Sequence, residues 1–340
     1  MAKCYINGIG AVSFQNENEA SETFLPITQN LNLANQPSYK ELIAPNMIRR
    51  MAKGVKMGIY ASQMALNEAE IEIPDAIITG TGLGCIEDSE KFLKSIIEND
   101  EEFLTPTSFI QSTHNTVGAQ IALRLQCKGY NFTYVNGSSS FEMALLDAVM
   151  QIQNSEEQNI LVGGIDEISQ HTMDVLKIAG IIASEKYPNA AKYSEGATFF
   201  SLSNSQSKNT YAEVVDTGLC NKMMDVEAWI FDFLKKNNLD IHQINAVVLG
   251  LNSDQNNQEF QQQILSVFTT QTILHYKHLV GQYDTVSAYG LKVAASYIKT
   301  QTTSPNFIYK NGDNKTDNVL VINQNLGKDY AIVLLKNAEI

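Results

Sequence analysis

The sequence predicts an α/β protein, and three observations carry this prediction. Short runs rich in β-branched residues alternate with longer segments of helical periodicity along the chain. The 340 residues are 44% hydrophobic and 18% charged, which is typical of an ordered globular protein with a large core. No stretch reaches the roughly 18 apolar residues that a membrane span needs. We therefore expect sheets packed against helices and no membrane partner.

Strands and helices alternate from the start of the first half. The predicted strands cover residues 4–12, 76–80, 131–136, 159–163 and 197–203. The predicted helices cover residues 46–68, 88–99, 116–125 and 139–154. In the first helix, Val55, Ile59, Ala65 and Leu66 recur close to a helical period, which indicates a buried face.

The second half repeats this alternation. The predicted strands cover residues 211–218, 246–251, 306–309, 319–323 and 330–335, and the predicted helices cover 225–237, 257–269 and 285–299. The Gln/Asn-rich stretch 254–263 is interpreted as a helix start with a solvated face. The polar segment 204–209 is the best boundary, so we expect an N-terminal half at 1–204 and a C-terminal half at 205–340.

Charge and cysteine content exclude several classes of function. The net charge of −13 repels nucleic acid and anionic membranes, although such an acidic balance is common in soluble proteins. Four well-separated cysteines form no CxxC pair, and the N-terminus runs into a strand pattern without a hydrophobic signal region. We expect a reducing cytoplasm and no nucleic-acid partner.

A cluster of serines is the best candidate for chemistry. Residues 136–140, Asn-Gly-Ser-Ser-Ser, follow a short strand and open an amphipathic helical run. Such a turn exposes a nucleophile, here Ser138, to helix amides that stabilise negative charge. A plain N-capping cluster explains the same pattern, because serine is a favoured cap. Spacing alone leaves both interpretations open.

Glycines and histidines give no cofactor or metal site. Gly82-Leu83-Gly84 and Gly163-Gly164 follow strands and are interpreted as turns, since the GxGxxG dinucleotide pattern is absent. Among the five histidines, His275 and His278 lie closest together, in a strand or loop, without the carboxylate spacing of a metal site. We expect neither a cofactor nor a metal.

Four further segments occur in a recognisable order that spans nearly the whole chain. They are Ile48-Arg49-Arg50-Met51, the run from Ser112 to Ala122, Ser194-Glu195-Gly196-Ala197, and Lys277-His278-Leu279-Val280-Gly281. Together they resemble the β-ketoacyl synthases. The resemblance implies the thiolase-like fold, with two similar halves stacked in five α-β-α-β-α layers, and a dimer.

The same resemblance marks three departures from an active synthase. Ser138 lies at the position of the family's acyl-carrying cysteine, which a helix N-terminus activates as a thiolate. The two catalytic histidines of the family fall at about Leu249 and at Gln282. Lys277 alone is retained. An alcohol needs an adjacent base, and His114 is the candidate that the family fold suggests, with a dimer-interface role as its alternative.

The resemblance therefore implies a non-condensing homologue of chain-length-factor type. Its expected partners are an acyl carrier protein and an active synthase subunit, or a second copy of itself, in fatty acid, polyketide or aryl-polyene biosynthesis. His114 to Thr116 would then reach the partner's site, and Phe109, Phe141 or Met143 would fill a tunnel beneath Ser138. The competing hypothesis is an acyltransferase, thioesterase or malonyl decarboxylase with Ser138 as nucleophile.

Overall fold

Strands and helices alternate along the chain as the sequence predicts. The computed structural model describes residues 2–222, 225–251, 255–312 and 316–338, without the side chains of 255–257. The strands are β1 Tyr5–Val12, β2 Leu31–Asn32, β3 Ala76–Gly80, β4 Tyr130–Tyr134, β5 Asn159–Asp166, β6 Tyr193–Ser194, β7 Gly196–Ser203, β8 Ala212–Cys220, β9 Ala246–Leu249, β10 Thr272–His275, β11 Ile308–Lys310, β12 Asn318–Asn325 and β13 Lys328–Lys336. The helices are α1 Pro45–Ile48, α2 Lys53–Ala69, α3 Ile86–Glu98, α4 Pro106–Ser112, α5 Thr116–Leu125, α6 Ser140–Gln153, α7 Gln170–Ile178, α8 Val226–Lys236, α9 Gln255–Val267, α10 Lys277–Val280 and α11 Ser287–Thr300.

The strand order is the same in both halves. The hydrogen-bonded series runs β11-β10-β9-β12-β13-β8-β1-β7-β5-β3-β4. From the outer edge to the centre, the strands of the first half follow the order β4-β3-β5-β7-β1. The strands of the second half follow the equivalent order β10-β9-β12-β13-β8, with β11 added at the edge. The two sets meet at β1 and β8, which pair through Tyr5 with Glu213 and Ile6 with Ala212. We propose that residue 204, between β7 and β8, divides the two halves.

Three apolar clusters define five layers. The central cluster joins α6 and α11 to strands of both halves, from Phe200 on one side to Val248 on the other. An outer cluster packs α2 and α5 against the strands of the first half. A second outer cluster packs α8 and α9 against the strands of the second half. The α-β-α-β-α arrangement that the resemblance implies is confirmed.

Several predicted boundaries are wrong. The helix expected at 46–68 is divided, because Ala52 is extended and its amide donates to Gln111 Oε1, so α2 begins only at Lys53. The strand expected to reach residue 136 ends at Tyr134, where the turn begins. Residue 306 lies in a short 3-10 turn whose Ser304 hydroxyl accepts from the Asn306 amide. Residue 254, which opens the predicted polar stretch, lies outside the described residues.

Short elements escaped the sequence analysis. α4 and α7 have 7 and 9 residues, too few for a clear period, and they lie at 106–112 and 170–178. His275 ends β10 as expected, but His278 lies in the short helix α10 rather than in a strand or loop. Among the helices of the described ranges, none combines the length and apolar composition required to cross a bilayer.

Candidate functional site

The candidate site lies where the carboxyl ends of parallel strands from both halves meet. β3 is parallel to β4 and β5, and β9 is parallel to β10 and β12. In parallel α/β sheets this end of the strands carries the binding site. The segments that follow these strands contain Ser138, Asp166 and Lys277, so both halves contribute to one region.

Ser138 occupies a tight turn between β4 and α6. Gly137 has a φ of +56°, which favours glycine, and residues 137–139 form a 3-10 turn. Ser138 is 4% exposed, and its hydroxyl donates to Asp329 Oδ2 at 3.3 Å, a long distance for an O–H···O bond. Ser140 instead holds the turn, because its hydroxyl accepts from the Asn136 amide at 2.8 Å. Ser138 therefore faces the other half rather than capping α6.

One carboxyl group, that of Asp329, contacts the Ser138 hydroxyl, and a second, that of Asp284, interacts electrostatically with Asp329. Asp329 lies at the start of β13, and its second oxygen accepts from Asn221 Nδ2 at 2.6 Å. Burial raises the pKa of Asp284 to about 7, and repulsion by Asp166 and Asp329 adds to this. Negative charge that forms beside Ser138 is thus opposed by carboxylates. An acyl-transfer site needs the opposite, hydrogen-bond donors or cations that stabilise an oxyanion.

Asp166 joins the two halves beside this turn. One oxygen accepts from Thr81 Oγ1 and from the Gly82 and Leu83 amides at 2.8–2.9 Å. The other accepts from the amide and hydroxyl of Thr285 at 2.9 and 2.8 Å. All five donors stabilise the buried carboxylate in place. Asp166 therefore has a structural role.

The glycine motifs approach protein atoms. A Cβ on Gly82 would lie 2.0 Å from Asp284 Oδ2, and one on Gly163 would lie 2.4 Å from the Phe199 ring. A Cβ on Gly164 would lie 2.8 Å from Thr285 Cβ. Each glycine is thus required by close packing between elements rather than by a ligand. The turn predicted at Gly163-Gly164 is wrong, because both residues pair within β5, which continues to Asp166.

Lys277 is buried opposite a carboxyl group of α6. Glu142, one helical turn after Ser138, is buried, and burial raises its pKa to about 7. A hydrogen bond from Ser287 and the attraction of Lys277 act against this rise. Lys277 is therefore buried and attracts the Glu142 carboxylate within the protein interior.

Contacts within the protein hold both positions at which the resemblance places the family's histidines, Leu249 and Gln282. Leu249 packs in the apolar cluster beneath α8 and α9. The residue that approaches the Lys277 side chain is instead Gly250, where a Cβ would lie 3.0 Å from the lysine Cε. The Gln282 amide donates to the Lys192 carbonyl, and its own carbonyl accepts from the Ser194 amide, both at 2.9 Å. Gln282 thus ties β6 to the segment before α11.

His114 is exposed at the turn between α4 and α5 and contacts Gly84. No hydrogen bond joins His114 to Ser138 within the described part of the chain. The group that meets the hydroxyl is Asp329, which sequence reasoning missed because it lies 191 residues away. Phe141 is buried against Phe200, whereas Phe109 lies at the surface.

Exposed apolar side chains of the first half, termed here together the β4 face, lie on α3, on α4, on the segment between them and on the edge strand β4. Every residue of α3 is at least partly exposed, and Ile97 is 78% exposed. Phe132 on the edge strand β4 is 45% exposed and stacks with Tyr130 at a ring distance of 6.0 Å. The β4 face comprises Leu93, Ile97, Phe103, Phe109, Ile110, Tyr130 and Phe132.

Comparisons with known proteins agree with this architecture. A family model described as "Beta-ketoacyl synthase, N-terminal domain" matches residues 29–203, just over half of the chain. The ishigamide ketosynthase/chain length factor superposes with a TM-score of 0.79 at 16% identity, over 99% of this chain and 100% of that one. A β-ketoacyl synthase from Burkholderia phymatum STM815 gives 0.80 at 15% identity, with 100% of both chains covered.

A third structure contains a type II PKS acyl-carrier protein in complex with its ketosynthase bound to the hexaketide. It gives a TM-score of 0.78 at 16% identity, over 99% of this chain and 100% of that chain. No curated protein matches the sequence significantly. At these identities, the solved structures establish the fold of the chain.

Proposed function

This chain belongs to the β-ketoacyl synthase family, and we propose that it is a non-condensing member that acts as a chain-length-factor-like partner of an active synthase. The pathway would be acyl-carrier-protein-dependent fatty acid, polyketide or aryl-polyene biosynthesis. The observation that carries the proposal is the acidic surrounding of Ser138 in a fold that otherwise remains intact. The structures named above contain a chain length factor and an acyl-carrier protein, which supports partners of the same kinds here.

Charge argues against condensation at Ser138. The dipole of α6 is worth at most roughly 2 kcal/mol, too little to ionise an alcohol. A carboxylate about 5 Å from a developing oxyanion opposes it by about 3 kcal/mol at an effective dielectric constant near 20. Asp329, which contacts the Ser138 hydroxyl, therefore offsets the benefit of the helix N-terminus.

The β4 face supports the partner role. β4 pairs only with β3 among the described strands, and its sequence Tyr-Asn-Phe-Thr-Tyr carries no charge that would protect the edge. Its counterpart in the second half, β10, is covered by β11, which ends in Lys310. Only the first half thus leaves an apolar strand edge open, as a subunit interface requires.

The occupant that fits this edge is a subunit of the same fold, with a β4 face of its own. Pairing of two such edges would satisfy the free amides and carbonyls of both strands and bury the aromatic rows. His114 to Thr116, beside the β4 face, would be placed near the partner. The location we propose is the cytoplasm, supported by four free cysteines, Cys4, Cys85, Cys127 and Cys220.

One observation favours a second function. The hydrogen bond from Ser138 to Asp329 supplies a base within reach of the hydroxyl, as an acyltransferase, thioesterase or malonyl decarboxylase would need. This alternative requires Ser138 to accept an acyl group. A serine ester on this chain, abolished by Ser138→Ala, would establish it.

Co-expression tests the main proposal. The chain is produced together with a Cys-His-His synthase and a carrier protein encoded beside it, with an affinity tag on this chain only. We expect a 1:1 complex with the synthase, measured by light scattering and intact mass. Purification of this chain solely as a homodimer, while the synthase elutes by itself, would contradict the proposal.

A further inference from the structure

A cavity beside the end of β10, lined by residues of both halves, has a charge opposite to that of the protein. Its volume is about 380 Å³, within the range of small-molecule sites. Four basic side chains line it, together with Gln261 and Tyr309: they are Lys192, Lys277, His275 and His278. None of the described lining residues is acidic, although the chain carries 37 Asp and Glu against 24 Lys and Arg. A basic pocket in an acidic protein indicates an anionic ligand.

The two histidines form an unusual pair at one wall. Their rings stack at 3.7 Å with an angle of 17°, and Tyr309 packs edge-on against His275 at 5.6 Å. His278 Nε2 lies 2.9 Å from the Asn306 carbonyl, which can only accept, so the proton is on Nε2. His278 Nδ1 is buried, and the described residues offer it no hydrogen-bond partner.

Burial disfavours a positive charge on either ring. Burial and the neighbouring His278 lower the pKa of His275 to about 4. Burial also lowers the pKa of His278, although its bond to Asn306 acts in the other direction. The charged or titratable groups that face His278 in the cavity are His275, Tyr309, Lys192 and Lys277. With no carboxylate among these groups, an incoming anion would supply the first negative charge and favour protonation of one ring.

We propose that this cavity binds a small oxyanion, a phosphate or carboxylate group, held by Lys192 and the His275–His278 pair with uptake of a proton. Lys192 stands at the side of the cavity formed by Ile27, whose carbonyl accepts from its ammonium at 3.2 Å. A half-buried lysine in this position can turn to a ligand without a change in the fold. The cavity shares Lys277 with the region around Ser138, but its proposed ligand contacts are Lys192, His275 and His278, and they do not depend on pairing with a synthase.

Calorimetric titration of the full chain tests the proposal. Sulfate is the first probe, because its charge is constant between pH 5.5 and 8 and any change in affinity reports protons on the protein. Acetate is the second probe and distinguishes a carboxylate site from a phosphate-like one. We expect sulfate to bind about tenfold more tightly at pH 5.5 than at pH 8, since one proton is taken up.

Three variants localise the effect. Lys192→Met should weaken sulfate binding about tenfold, the value of one charge-assisted hydrogen bond. His278→Gln, which retains a donor for the Asn306 carbonyl, should remove the pH dependence. Lys208→Met removes an exposed lysine paired with Glu70 and should leave the affinity unchanged.

Binding that Lys192→Met leaves intact, or the absence of binding for both anions in the wild-type chain, would overturn the proposal. Melting curves of the variants show whether each one is folded. Lys192→Met keeps the test decisive even if His278→Gln is not, because its side chain is only half-buried.

Discussion

The β4 face and the Ser138 turn belong to the same half of the molecule but have opposite properties. The first is exposed, apolar and uncharged along its strand, whereas the second is buried and its hydroxyl contacts the Asp329 carboxyl group. β4 ends only three residues before Gly137, so one short segment connects a surface suited to association with a site unsuited to acyl transfer. The contrast is what the proposed function requires, namely a surface for a partner subunit without acyl transfer at Ser138.

The largest effect is expected at the β4 face. Phe132→Asp places a charge at the centre of the proposed interface and should weaken binding to the synthase about hundredfold, as loss of an aromatic hot spot does. The matched control is Tyr309→Asp, an equally exposed aromatic residue on the opposite edge strand, β11. Interferometry with immobilised synthase measures both. If both variants lost the same affinity for the synthase, β4 would not be the edge that binds the partner in preference to β11.

A cysteine at the Ser138 position tests the acidic surroundings directly. In Ser138→Cys, the carboxylates Asp329 and Asp284 should raise the pKa of the thiol, whereas an active synthase lowers it. We expect iodoacetamide to label this thiol at pH 7.5 about tenfold more slowly than a model thiol with a pKa near 8.5. Adding Asp329→Asn should speed the reaction. Rapid labelling of the single variant would mean that the turn still activates a nucleophile.

Removal of the Asp284 charge should stabilise the protein at high pH. The folded pKa of Asp284 is about 7 and its unfolded value is about 3.9, so folding loses stability as the pH rises between these values. Asp284→Asn removes this penalty and should add up to about 4 kcal/mol to the free energy of unfolding at pH 8. The gain should vanish near pH 4. Denaturant titrations at both pH values measure it, and a loss of stability at pH 8 would show that the charge is needed.

The smallest effect is expected for Ser138→Ala. The hydrogen bond to Asp329 is long, so the free energy of unfolding should change by less than about 1 kcal/mol. Product formation by the complex with the active synthase should be unchanged, which an assay of carrier-bound product measures. A severalfold loss of product would show that the Ser138 turn takes part in function, contrary to this prediction.

The sequence predicts the alternating elements well because their periodicity is local. β3 and α5 have the predicted bounds, and strands and helices alternate from β8 to β13 as predicted for the second half. Local patterns did not reveal the break before Lys53, since it depends on the contact of Ala52 with Gln111, 59 residues away. The length of α4 and α7 is too small for periodicity to identify them.

The candidate site was only partly predictable, for the same reason. Ser138 and Lys277 were predicted as site residues from the family resemblance, and the structure places them in the β4–α6 turn and directly after β10. Asp329 reaches Ser138 only because the β12–β13 hairpin of the second half lies over the β4–α6 turn of the first. Such contacts between distant segments leave no local pattern, and Asp284 and Glu142 were missed on the same grounds.

Intact mass spectrometry of the co-purified complex, after incubation with an acyl-loaded carrier protein, tests the central claim most directly. We expect an acyl adduct on the cysteine of the active synthase and an unmodified mass for this chain. An acyl adduct on this chain that Ser138→Ala abolishes would contradict the claim and establish the serine as a nucleophile.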